Sequence, residues 1–283
     1  ARYSVIDPLD QKVTSLTGRG KRVTLRDEQG HPLADLILGQ TVKDKPGYRH
    51  VRLPGQKRTY AVKTDADPSA RFEDWIETDL LKVSASAIRK VTIHSYSINE
   101  AQGRLENVET LVLTRDGDKW KLPGAEKLNT SAVNATLAAL DNLKIVGVRP
   151  KPPNLTQDLK TRGAIQMSLD TMMSLRQKGF FITPDGRLLS NEGEMSVETA
   201  DGVIYTLRFG EILTGQGEGP APAIKDARSG TESRYLFITV GHTPAGAGQE
   251  LARQLTNRFA DWYYVISGAD FTKLRPKRKD LAR

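Results

Sequence analysis

Apolar and polar residues alternate along Gly20–Arg26 (Gly-Lys-Arg-Val-Thr-Leu-Arg), which predicts a half-buried strand. Asp27-Glu28-Gln29-Gly30 supplies turn residues, and Leu33 to Leu38 supplies a second strand closing at Gly39. Two further strands, Tyr48–Leu53 and Thr59–Lys63, are joined by Pro54-Gly55-Gln56-Lys57. There Pro fixes φ and Gly accepts positive φ, so a tight turn is favoured. The pattern then changes period. Asp67-Pro68-Ser69 is a helix-start signal, and Phe72, Trp75, Ile76 and Leu80 recur on one face of a 3.6-residue helix.

Strand character returns at Ile88–Ser97, and Glu109–Leu113 and Lys119–Leu122 flank Asp116-Gly117-Asp118 as a hairpin. A second helix is predicted from Ser131 to Leu143, with Val133, Leu137 and Leu140 on one face and Asn129 or Thr130 as its cap. A short strand, Lys144–Val148, leads to Arg149-Pro-Lys-Pro-Pro-Asn154, whose prolines favour an extended spacer. The domain boundary is expected there, giving an N-terminal α+β repeat over 1–149 and a divergent C-terminal one over 150–283.

The second half opens on a helix, Leu169–Lys178, with Leu169, Met172, Met173 and Gln177 on one face; the methionines read as core filler. Strands follow at Phe180–Thr183, Arg187–Leu189, Met195–Thr199, Val203–Phe209 and Arg234–Val240, with turns at Pro184-Asp-Gly186 and Ala200-Asp-Gly202. Gly215–Thr231 is rich in Gly, Pro, Ala and Ser and reads as a mobile loop, and His242–Gly248 is another small-residue loop. A helix at Glu250–Phe259 is expected to bury Leu251, Leu255 and Phe259. Trp262–Ile266 reads as a strand, and Phe271 and Leu274 lie in a closing helix.

Residues 21–40 and 194–211 share one order: strand, turn with Asp and Gly, strand, then Leu38-Gly39 or Phe209-Gly210. A Tyr-led strand and a second Tyr-containing strand follow in each. A competing match sets Arg71-Phe-Glu-Asp-Trp75 against Arg258-Phe-Ala-Asp-Trp262. Both point to an α+β fold of two degenerate copies of an antiparallel strand–turn–strand unit with packed helices.

The 283 residues are 38% hydrophobic and 27% charged, enough apolar material for a folded core. Lys and Arg number 42 against 34 Asp and Glu, so contact with polyanions is permitted, although the two signs are interspersed. Cysteine is absent, which excludes disulfides, thiolate nucleophiles and Cys-ligated metals. No run reaches the ~20 apolar residues of a membrane helix. The chain opens at Ala1 without a Met, and an upstream signal or anchor is expected.

The search for chemistry gives no catalytic, cofactor-binding or metal-binding residues. His31, His50, His94 and His242 lack the spacing of a helical His pair. Neither a Gly-x-Ser-x-Gly elbow nor a Ser-x-x-Lys is present. Gly18-Arg-Gly-Lys21 and Gly215-Gln-Gly-Glu-Gly219 have phosphate-loop residues without a following helix to supply N–H groups. Glu73 and Glu77 on the predicted helix have a spacing that carboxylate pairs use, but acids at a helix start are favoured by the dipole alone. Asp74 belongs to the same cluster, and Glu192 and Glu194 form a second. The strongest charge feature is Lys273, Arg275, Lys277, Arg278 and Lys279, close in sequence to Trp262, Tyr263 and Tyr264. These five are candidate contacts to a polyanion or partner.

Ala34-Asp-Leu-Ile-Leu-Gly39, Tyr60-Ala-Val62, Trp75-Ile-Glu-Thr-Asp-Leu-Leu-Lys82 leading to Ile88-Arg-Lys-Val-Thr-Ile93, and Asp118-Lys-Trp-Lys-Leu122 leading to Ala139-Leu-Asp-Asn-Leu143 together resemble the bacterial domain of unknown function numbered 4340. The resemblance implies an extracytoplasmic, periplasmic-side cell-envelope protein with one N-terminal membrane anchor, associated with ABC transporters of the gliding-motility type. It assigns no site residue. The expectation is therefore a non-enzymatic accessory or scaffold module without a cofactor, whose partners are proteins such as transporter subunits. The alternative is a polyanion-binding protein, with an anionic glycan or nucleic acid on the basic C-terminal segment; nucleic acid is the less favoured partner.

Overall fold

The alternation at the N-terminus forms strand β1 (Lys21–Arg26), which pairs antiparallel with β2 (Pro32–Thr41). β3 (Tyr48–Arg52) and β4 (Thr59–Lys63) complete a four-stranded meander in the order β1-β2-β3-β4. The computed structural model describes residues 2–27, 29–69, 74–99, 104–161, 165–166, 168–213, 232–244 and 248–282. The contacts divide the chain into two units, Ala1–Asp74 and Trp75–Arg283.

In the first unit the register puts Arg22, Ile37, His50 and Arg52 on one face. The arm before β1 lies over it. Arg52 donates to Val5 O at 2.7 Å, Arg22 pairs with Asp7 at 3.0 Å, and Tyr3 stacks against His50. Gly39 is required by this approach, because a Cβ there would stand 2.3 Å from Tyr3 O. The other face carries Val23, Leu36, Leu38, Val51, Tyr60 and Val62. Ile37 and Leu38 are the buried hydrophobic side chains among the described residues of this unit.

The second unit is built on an eight-stranded antiparallel sheet. Its strands are β5 (Ile88–Asn99), β6 (Arg104–Asp116), β7 (Lys119–Lys121), β8 (Ile145–Pro150), β11 (Glu194–Thr199), β12 (Val203–Ile212), β13 (Arg234–His242) and β14 (Trp262–Ile266). The order is β7-β6-β5-β11-β12-β13-β14-β8. β9 (Phe180–Ile182) and β10 (Leu188–Ser190) form a separate hairpin. Helices α1 (Thr130–Asp141), α2 (Pro153–Thr161), α3 (Leu169–Arg176), α4 (Gln249–Ala260), α5 (Gly268–Leu274) and α6 (Arg278–Leu281) complete it.

Strand–strand–strand–helix–strand occurs twice, as β5-β6-β7-α1-β8 and β11-β12-β13-α4-β14. The first strands of the two halves pair with each other, and so do the last, both antiparallel. That is the arrangement an approximate two-fold relation gives. The hairpins expected at 21–40 and 194–211 both form, but they lie in different units, and this clearer duplication lies within 88–266.

Burial explains the sequence texture. β11 alternates, with Met195, Val197 and Thr199 inward, because one face is covered there. Tyr235–Ile238 and Tyr263–Ile266 are continuous apolar runs because both faces are covered. On one side Tyr205 and Tyr264 meet Phe259 of α4. On the other, Phe237, Tyr263, Tyr235 and Val265 form a core with Leu155, Leu175, Phe180 and Leu188.

Four expectations are corrected. The boundary at 149/150 is not where the contacts divide: Arg149 and Pro150 pair with Tyr263 and Trp262, and Pro153 opens α2 at the position where a missing N–H costs nothing. Among the described residues of 67–80 there is no α-helix. Thr78–Leu80 instead run extended, with Leu80 N–H donating to Leu143 O and Ile145 N–H to Thr78 O, each at 3.0 Å. Trp75 and Ile76 are exposed, while Leu80 is buried; Phe72 lies outside the described residues. Met172 and Met173 are 44% and 53% exposed, and α3 buries Thr171 and Leu175 instead. Leu251 of α4 is exposed as well, and the buried positions of that helix are Ala252, Phe259 and Ala260. Residues 215–231, and 245–247 of the second small-residue loop, lie outside the described residues.

Candidate functional site

Two of the five basic C-terminal candidates, Arg275 and Arg278, are engaged within the fold. Arg275 bridges to Glu192 and donates to Tyr96 O at 3.3 Å; Arg234 approaches the other oxygen of Glu192 at 3.5 Å. Arg278 donates to Pro123 O at 2.9 Å. Leu281 is buried, and its carbonyl accepts from Asn129 N–H at 2.8 Å, just before α1. Lys273, Lys277 and Lys279 are exposed. The five candidates therefore do not form one surface, since two of them fasten the tail. Arg275→Ala should lower stability by about 1–3 kcal/mol, because it leaves Glu192 half-buried with only the longer Arg234 contact. Lys277→Ala and Lys279→Ala should each stay within about 0.5 kcal/mol. Denaturant melts of the three variants check this.

The carboxylate clusters are also accounted for. Glu77 accepts from Asp79 N–H and pairs with Lys82 at 3.3 Å, and these contacts hold its carboxyl below the usual range. Glu73 lies outside the described residues, and so does the helical spacing expected for Glu73 and Glu77. Glu194 lies 3.0 Å from the Arg208 guanidinium, although its Oε2 is out of line for a hydrogen bond. Burial lowers the Arg208 pKa, and the side chain is tied to Leu188 O and Thr239 Oγ1, each at 2.8 Å. Gly20 of the Gly18–Lys21 motif abuts Ile37 and the backbone of Leu38 and Ser4, while Arg19 binds the carbonyls of Pro8, Val13 and Ser15. That loop is a packing device. Residues 215–219 lie outside the described residues. Among the described residues no group of three or more His, Asp or Glu could hold a metal ion.

One buried group escaped sequence reasoning. Lys151, between Pro150 and Pro152, is 5% exposed. Its Nζ donates to Phe259 O at 2.9 Å and stands 4.0 Å from the Phe237 ring centre and 5.5 Å from that of Tyr263. Burial pushes its pKa down to about 7 against the pull of Asp261.

The exposed polar backbone of the first unit provides the site best suited to binding. Thr64 N–H donates to Gly47 O at 2.8 Å, which makes 47/64 a hydrogen-bonded pair. Such pairs alternate along an antiparallel ladder. The register 48/63, 49/62, 50/61, 51/60, 52/59 then gives Tyr60 and Val62 the inward bonds. Thr59, Ala61 and Lys63 present their N–H and C=O groups outward. Among the described residues no strand covers that side. Tyr60 and Val62 carry the apolar face of the sheet to this edge and are 41% and 39% exposed.

The second unit also has an edge without a covering strand among the described residues, because β7 pairs only with Thr114–Asp116 of β6 and leaves the outer side of Arg104–Leu113 open. β7 has three residues with lysine at both ends, a feature that discourages further pairing. Thr78–Leu80 meet residues 143–145, at the start of β8, and β8 ends at Pro150. The sequence signal for β4 was legible as a strand. Its position at an edge was not, because that depends on which strands pair.

These features define a two-unit α+β protein built on antiparallel sheets, in which β4 is an edge strand without a covering strand among the described residues. The chain belongs to the family of the domain of unknown function DUF4340, whose profile matches residues 1–163. That span takes in the whole first unit and the first strand–strand–strand–helix–strand half of the second. No curated protein and no solved structure matches the chain.

Proposed function

We propose that the chain is a non-enzymatic accessory module that docks a partner protein through the β4 edge, in an ABC-transporter-type assembly on the extracytoplasmic side of the cell envelope. The observation that carries the docking role is the β4 edge itself, where Thr59, Ala61 and Lys63 face outward without a covering strand among the described residues and exposed cations stand at both ends. Strand addition at such an edge gives affinity through main-chain bonds and selectivity through alternate side chains. The small buried core of the first unit supports the same reading, since a unit with so little buried apolar surface gains stability from a partner. The envelope setting and the transporter partner rest on the family resemblance. No described helix is long and apolar enough to cross a membrane, so attachment would come from a segment outside these helices. Affinity purification from a native host should recover membrane-transporter subunits. Recovery of soluble cytosolic proteins alone would contradict the proposal.

A further inference from the structure

We infer that the partner segment is an acidic extended strand, which adds to β4 with its main chain on Thr59, Ala61 and Lys63 and its carboxylates against the cations at both ends of that strand. The inference rests on the docking reading and names the chemistry of its partner.

The argument starts from charge. Residues 43–63 hold seven Lys and Arg and a single acid, Asp44. Arg49 and Arg52 are committed within the unit: Arg49 donates to Gly39 O and Ala66 O, Arg52 to Val5 O and Gln56 O. Lys57 and Arg58 are exposed at the start of β4, Lys63 at its end, and Lys43 on the preceding turn. A strand entering this edge therefore meets exposed cations at both ends; beyond Lys63 follow Asp65 and Asp67, the latter paired with Lys21 and Arg49. Between the cations it meets a neutral stretch, Thr59–Val62, suited to main-chain pairing. Complementary charge across such a contact speeds encounter and rejects basic partners.

A second copy of the chain fits poorly. Antiparallel pairing of two β4 edges about Ala61 sets Lys63 of one opposite Thr59 and one residue from Arg58 of the other, twice, a repulsion at both ends of the paired strands, although Lys57 then faces Asp65 just beyond them. An acidic strand removes that repulsion.

The test uses the full chain and a synthetic peptide alternating threonine and valine between glutamates, with a lysine-ended counterpart. Amide exchange is read at Thr59, Ala61 and Lys63. The acidic peptide should slow these three amides, and the lysine-ended peptide should leave them unchanged. Ala61→Pro removes an outward donor while leaving the inward bonds of Tyr60 and Val62, a position where edge strands tolerate proline. It should abolish binding. Lys57→Glu combined with Lys63→Glu changes only exposed charges, so it reports even if the proline variant unfolds. It should weaken binding about tenfold or more. Binding of the acidic peptide without protection of the outer amides overturns the inference, and so does equal binding of the lysine-ended peptide. Heparin that binds wild type and Ala61→Pro alike, and displaces the peptide, overturns it in favour of a polyanion surface. If transporter subunits co-purify but leave these amides unprotected, the edge is wrong while the accessory role stands.

Discussion

Lys151→Met is expected to stabilise the protein by about 2 kcal/mol at pH 6 and to flatten its stability between pH 7 and 10. The ammonium of Lys151 is buried with no carboxylate paired to it among the described residues. Below about pH 7 it is charged in both the folded and the unfolded chain, so the full cost of burying that charge is present. Between pH 7 and the ordinary value of 10.5, the unfolded chain binds the proton that the folded one has lost. Stability therefore rises with pH across that window. At about 1.4 kcal/mol per pH unit the whole window corresponds to about 5 kcal/mol. The faces of Phe237 and Tyr263 return about 2 kcal/mol of this as cation–π attraction, and the variant leaves Phe259 O without a donor at a cost of about 1 kcal/mol.

The other charges around the group act in both directions. Asp261 favours the ammonium but is shared with Lys160 at 2.7 Å, while Lys178 lies over the Tyr263 ring. Tyr263, pushed up to about 12 by burial, adds an opposing slope only above pH 10. Urea melts of wild type and variant from pH 6 to 10 separate the cases. A flat wild-type profile, or a variant less stable at pH 6, would contradict the expectation.

Gly193→Ala is expected to cost about 3 kcal/mol or more. Gly193 has φ +76°, in the left-handed region, and a Cβ there would stand 2.4 Å from His94 O and 3.1 Å from Ser95 Cα and Tyr96 N. Those atoms are backbone of β5, which cannot yield without disturbing the β5–β11 pairing at the centre of the sheet. Gly186→Ala isolates the conformational part, because Gly186 has φ +81° with nothing within 4 Å; it should cost only about 1–2 kcal/mol. Equal losses at the two positions would show that the contact with β5 carries no weight.

The two glycines look alike in sequence, each beside a polar turn, and that marks the limit of what the chain discloses. Local signals were legible. Asn129 caps α1 by accepting from Ala132 N–H, and Gly117 turns the β6–β7 hairpin with φ +58°. The apolar runs of β13 and β14 marked them as strands. Signals that depend on distant partners were not. Trp75, Ile76 and Leu80 have helical spacing, but the backbone of Thr78–Leu80 is taken by residues 143–145, and Lys82 follows with φ +54°. Lys151 sat in a proline-rich stretch that reads as a spacer; its burial needs α4 to place Phe259 O and β13 to place the Phe237 ring. The C-terminal cations read as one patch because they are adjacent in sequence. Arg275 instead turns toward Glu192 and Arg278 toward Pro123. β4 was recognised as a strand, but an open edge is a property of the sheet order.

The docking account is tested most directly by amide exchange of the chain purified with its native partner and again after the partner is removed. It predicts slow exchange at Thr59, Ala61 and Lys63 in the complex and fast exchange in the free chain, with Tyr60 and Val62 slow in both. Exchange at the three outer amides that is equally fast in both states, with protection appearing on the second unit instead, would contradict it.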